Sequence, residues 1–188
     1  VIAMVTISNS LSEDGFSIEQ GVFSKKSVKR LITVIESLLK DEGSEDLVLD
    51  EQGHPIKIRY PLSKHPSFLD SLVNPSLIRL VDSLFPDGDA VLTWEDVLVK
   101  QPNSGTEVLV HQDLALQTTE GDVFSIGLSL HNDSHNPVFF LPGSHQSGAL
   151  TRAEVQVLGD IELIYKHGGA GPRAVATYGL VAVFKCLQ

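Results

Sequence analysis

His111 and Asp113 stand two residues apart at the end of the apolar run Val108-Leu-Val110. On an extended strand side chains alternate, so residues i and i+2 share one face. An imidazole nitrogen and a carboxylate oxygen then converge on one point, which is ligand chemistry for a divalent metal. A 2-His-1-carboxylate facial site for non-heme Fe(II) needs one more His from elsewhere in the chain. Taken alone, His-x-Asp is more often a hydrogen-bonded surface pair, so the other residues have to decide.

The chain has seven histidines. His54 and His65 each precede a proline and read as exposed loop residues. His131 and His135 lie in the polar turn His131-Asn-Asp-Ser-His-Asn-Pro137, where a solvated turn is the simpler reading. His145, in Leu141-Pro-Gly-Ser-His-Gln-Ser-Gly148, and His167, before Gly168-Gly169, both follow apolar runs. On spacing both compete for the third ligand position. His167 is favoured, because its glycines permit a sharp turn towards Arg173 on a neighbouring strand. A guanidinium beside a metal cavity binds a ligand carboxylate bidentately.

The elements that must position these residues are legible from periodicity. Val28, Leu31, Ile32, Ile35, Leu38 and Leu39 give residues 24–40 the one-face spacing of a helix, with Ser24 as N-cap and Gly43 beyond its end. Asn74-Pro75 opens a second helix through Leu84, ended by Pro86-Asp-Gly88. After residue 90 short apolar runs follow: 91–94, 97–99, 108–116, 123–131, 137–141, 161–165 and 174–184. Helices first and strands after predict one α+β domain, mainly β, over 1–188, with a helical part at 1–90 packed on a jelly-roll, cupin-like core at 91–188.

The 188 residues suit a single domain; the chain is 42% hydrophobic and 20% charged, as in an ordinary globular protein. A net charge of −10 argues against nucleic-acid or anionic-membrane partners. No apolar run is long enough to span a membrane. Cys186, the one cysteine, excludes an internal disulfide and predicts a reducing, cytoplasmic setting. It reads as a buried thiol rather than a nucleophile.

Four segments in order resemble the phytanoyl-CoA dioxygenase family of Fe(II)/2-oxoglutarate-dependent oxygenases. They are Leu11-Ser-Glu-Asp-Gly-Phe16 with Gly21-Val-Phe-Ser24; Lys100-Gln-Pro-Asn-Ser-Gly105 with His111-Gln-Asp113; Phe140–Gly148; and Gly159-Asp160 with His167-Gly168 and Arg173. The resemblance implies a double-stranded β-helix core with Fe(II) held by His111, Asp113 and His167. It implies 2-oxoglutarate as cosubstrate, with its distal carboxylate on Arg173, and O₂ as oxidant. Gln112 matches the residue between the two ligands, near the cosubstrate, and Lys57 a lysine that contacts 2-oxoglutarate. His145 matches a loop histidine that is not a ligand, and this resemblance, not spacing, selects His167. The stretches from His145 to His167 and from His167 to Arg173 are shorter than the family's, and Gly169 stands where a Ser is common. The chain also opens without Met, which fits a fragment or an internally shortened homologue.

The expected function is therefore a dioxygenase that hydroxylates a small organic substrate while 2-oxoglutarate is decarboxylated to succinate. Two rivals keep the fold. One is a non-catalytic module that binds a metal or carboxylate, and the other is a cupin-like metalloenzyme without 2-oxoglutarate. A carboxylate-binding Arg173 distinguishes the oxygenase from the latter.

Overall fold

The structure is a computed structural model that describes residues 10–41, 43–86, 90–100, 123–130, 140, 142–147 and 175–184. It opens with a short helix, α1 (Ser10–Asp14), and an amphipathic one, α2 (Lys25–Leu38). The side chain of Ser24 caps α2 by accepting from the Ser27 amide at 3.1 Å, satisfying one of the free donors of the first turn. The buried face of α2 carries Leu31 and Ile35.

A hairpin follows, β1 (Leu47–Leu49) with β2 (Pro55–Arg59), then three helices, α3 (Pro61–Lys64), α4 (Pro66–Leu72) and α5 (Pro75–Leu84). All three helices begin on proline, whose fixed φ suits the first helical position and whose missing N–H is not needed there. Asn74 caps α5, accepting from the amides of Ser76 and Leu77 at 2.8 and 3.3 Å. The β1–β2 hairpin lies inside the part read as helical, and it joins the main sheet. His65, expected as an exposed loop residue, is half-buried and caps α4, its Nδ1 accepting from the Ser67 amide at 3.1 Å.

Among the described residues three longer strands join the sheet: β3 (Ala90–Lys100), β4 (Val123–Ser129) and β5 (Val175–Phe184). The two short runs read at 91–94 and 97–99 are one strand. The expected strands at 108–116 and 161–165, and 137–141 apart from Phe140, lie outside the described residues. Among the described residues all pairings are antiparallel, in the order β1-β2-β3-β5-β4. The last described strand thus sits between two earlier ones.

One face of this sheet packs on the helices. Ile58, Val97, Val99 and Leu130 join Leu31, Ile35, Phe68, Leu77 and Leu80 in the core, with Ile126 and Leu128 against it. Alternation then places the even-numbered side chains of late β3 on the other face: Val97 is fully buried, while Leu98 is 44% exposed. Between Leu92 and Trp94 the register slips, because Leu92 pairs with Ala182 and Trp94 with Val181. Thr93 is the extra residue of a β-bulge, and such a bulge exchanges the two faces downstream. Leu92 consequently packs on the helical side, whereas Trp94 belongs to the face opposite. Among the described residues no helix is long and apolar enough to cross a membrane.

Candidate functional site

Of the residues singled out from sequence, His111, Gln112, Asp113, His167 and Arg173 lie outside the described residues. Lys100 at the end of β3 pairs with Val175 at the start of β5. Among the described residues there is no cluster of three His, Cys, Asp or Glu side chains able to hold a metal.

Lys57 is placed. It lies in β2 opposite Leu98, and Arg59 lies opposite Asp96, so these four positions occupy the face away from the helices. The Lys57 ammonium sits 3.0 Å from Asp96 Oδ2. The same oxygen accepts the indole N–H of Trp94 at 3.2 Å. Asp96 is only 8% exposed, and this pair of donors compensates its buried charge. The register continues from Asp96 to Gly179 and on to Gly127, so no side chain projects from the two positions beside it.

Around this pair lie two further irregularities. Tyr60, just after β2, adopts the left-handed conformation (φ 52°, ψ 49°), which costs a side-chain-bearing residue about 1–2 kcal/mol. Its ring packs at a tilt against Trp94, with centroids 6.5 Å apart. Glu95, the neighbour of Asp96, accepts from the Leu62 amide at 3.3 Å. Burial, reinforced by the Asp96 charge and opposed by that hydrogen bond, pushes the Glu95 carboxyl up to about 7. Sequence reading missed all three as site residues: Trp94 ended one expected strand, and Glu95 and Asp96 fell between that run and the next. The available signal was an acidic pair inside an otherwise apolar run.

His145 has a different post. It lies in a 3-10 turn (Ser144–Ser147), with Nε2 3.1 Å from the carbonyl oxygen of Ser12 in α1. Gly143 N–H donates to Asp14 O at 2.9 Å, and Gln146 Nε2 to Glu13 O at 3.2 Å. Three carbonyls at the end of α1 are thus met by one loop. Phe16 stacks on Phe140 at 4.8 Å beside them. A Cβ on Gly15 would stand 2.4 Å from His145 Nδ1, so glycine there makes room for the ring. With Nε2 engaged on a backbone carbonyl, His145 is a clasp between α1 and its loop.

A family model described as Phytanoyl-CoA dioxygenase (PhyH) matches residues 11–156. That range takes in Lys57, His111, Gln112, Asp113 and His145 and stops short of His167 and Arg173. No curated protein matches the chain. Several solved structures share its fold. AviO1 from Streptomyces viridochromogenes Tue57 is 24% identical with a TM-score of 0.67, over 95% of this chain and 94% of its own. EvdMO1 is 22% identical with a TM-score of 0.69; the match takes in 94% of this chain but only 49% of EvdMO1. EctD from S. alaskensis, solved with 2-oxoglutarate and 5-hydroxyectoine, is 19% identical with a TM-score of 0.68, over 93% and 68%.

Proposed function

Because the chain belongs to the phytanoyl-CoA dioxygenase family, we propose that it is an Fe(II)- and 2-oxoglutarate-dependent dioxygenase that hydroxylates a small organic substrate. The observation that carries this reading is the family match running through His111-Gln-Asp113. In it the sheet is one half of a double-stranded β-helix, and the face bearing Lys57 and Asp96 is the interior. The whole chain, 1–188, then forms a single domain, with the hairpin and helices of 1–90 packed on the jelly-roll core.

His111, Asp113 and His167 would hold the metal, an N,N,O donor set that suits Fe(II) and leaves open positions. The fit is supported on this structure by the Lys57 ammonium on the face away from the helices, where a dicarboxylate needs a cation. Bound Fe(II) supplies activation of O₂, which couples decarboxylation of 2-oxoglutarate to succinate with oxidation of a C–H bond. The chain's own residues bind and orient. Arg173 would bind the distal carboxylate, a role to which the guanidinium fork is suited. Lys57 adds an ammonium near the cosubstrate, and Gln112, between the two ligands, adds an amide. EctD carries iron in one structure and 2-oxoglutarate in another, which supports the same cofactors here.

The test is an anaerobic Fe(II) titration with and without 2-oxoglutarate, followed by succinate assay in air. The expected outcome is a weak visible charge-transfer band that needs both components, then slow succinate formation without added substrate. Iron binding with no such band and no succinate points instead to the non-catalytic module, which the short stretch before His167 favours.

A further inference from the structure

Asp96 is a buried charge outside the hydrophobic core cluster. It stands on the face away from the helices, and its Oδ2 receives both the Lys57 ammonium at 3.0 Å and the Trp94 indole N–H at 3.2 Å. Stability alone is a poor explanation, because a buried ion pair is seldom better than a hydrophobic pair of the same volume. Trp94 and Asp96, two residues apart on one strand, share this face, and Trp94 in turn packs against Tyr60 in its left-handed conformation. Beside Asp96 the sheet carries two glycines in register, Gly179 and Gly127.

We propose that Asp96 is a positioning residue for Lys57, fixing its ammonium to receive a dicarboxylate, and that Trp94 reports the occupancy of that position. The inference rests on the reading of Lys57 as a cosubstrate contact. An ammonium has three donors; one committed to Asp96 leaves two for an incoming carboxylate. Without Asp96, the flexible four-carbon stem lets the charge wander into solvent. When a dicarboxylate arrives, the Lys57–Asp96 contact rearranges, and the indole sharing Oδ2 changes its hydrogen bond. Trp94 is the sole tryptophan of the chain, so its emission is read without interference from another indole.

The experiment titrates 2-oxoglutarate into the anaerobic Fe(II)-loaded full chain, reading the visible chelate band and tryptophan emission together. In the parent, emission should change in step with the band. Asp96→Asn keeps an acceptor for the indole but removes the charge. It should weaken 2-oxoglutarate about 10-fold, the scale for losing a residue that orients a ligand, and leave iron affinity unchanged. Lys57→Met should weaken it similarly, and the double variant no further, because Asp96 acts through Lys57. Unaltered or tighter 2-oxoglutarate binding in Asp96→Asn overturns the proposal, as does additive loss in the double variant. Parallel loss of iron affinity overturns it too, by marking a merely structural role. Parent emission that stays flat while the band grows overturns it without any variant. Absence of the band in the parent defeats the oxygenase reading together with this one.

Discussion

At the scale of single residues, the proposed metal ligands and the clasp histidine make opposite predictions. His111→Ala, Asp113→Ala and His167→Ala should each lose iron, whereas His145→Ala should keep it, since its Nε2 serves the Ser12 carbonyl. Arg173→Ala should keep iron but lose 2-oxoglutarate affinity by ~2–4 kcal/mol, the range for removing a desolvated charged partner. Equilibrium iron binding and the chelate titration separate these cases. Retention of iron by His167→Ala would remove that residue from the site. Glu95 gives a pH signature of its own. Its folded value, about 7, lies above the ordinary 4.5, so the fold binds its proton more tightly than the unfolded chain does. That stabilisation is complete below pH 4.5 and is lost as the pH rises through about 7. Glu95→Gln retains an acceptor for the Leu62 amide without the charge. The advantage of the variant in urea midpoint should therefore grow from pH 4.5 to 7 and level off above; a pH-independent difference would contradict the assignment.

At the scale of elements, the clasp between α1 and the loop at 142–147 depends on Gly15. Its φ is 84°, and an added methyl would press on the His145 ring. Gly15→Ala should cost about 1–3 kcal/mol in urea unfolding from the backbone conformation alone, and His145→Ala in the same chain should relieve the steric part. Sequence legibility followed the strength of local signals. Helices α2 and α5 were readable because each joins a side-chain cap to a long apolar stripe. Strands β3, β4 and β5 were readable from their apolar runs. The β1–β2 hairpin was not, since β1 has three residues and β2 starts on proline and carries Lys57 and Arg59. Helix α4 hid behind an unusual cap, the ring of His65. The bulge at Thr93 left no trace in composition, yet it decides which way Trp94 faces. At the site, Lys57 came from resemblance, and its partner Asp96 comes only from strand register, a contact 39 positions away in sequence.

At the scale of the whole molecule, the described helices pack on one face of a five-stranded sheet, and the proposed cosubstrate contact, Lys57, lies on the other. Phe68, fully buried where α4 meets that core, is a fulcrum of this arrangement. Phe68→Ala should destabilise by about 3–5 kcal/mol, the usual loss for an emptied aromatic site, as measured by denaturant unfolding. Strand order carries a different consequence, one of timing. A chain emerging from the ribosome releases β3 and β4 long before β5, yet β5 is the strand that joins them. Until residues 175–184 appear, β3 and β4 each offer an unpaired edge to whatever strand comes near. Nascent chains stalled before Val175 should therefore associate with one another or with chaperones, and ten further residues should end that hazard.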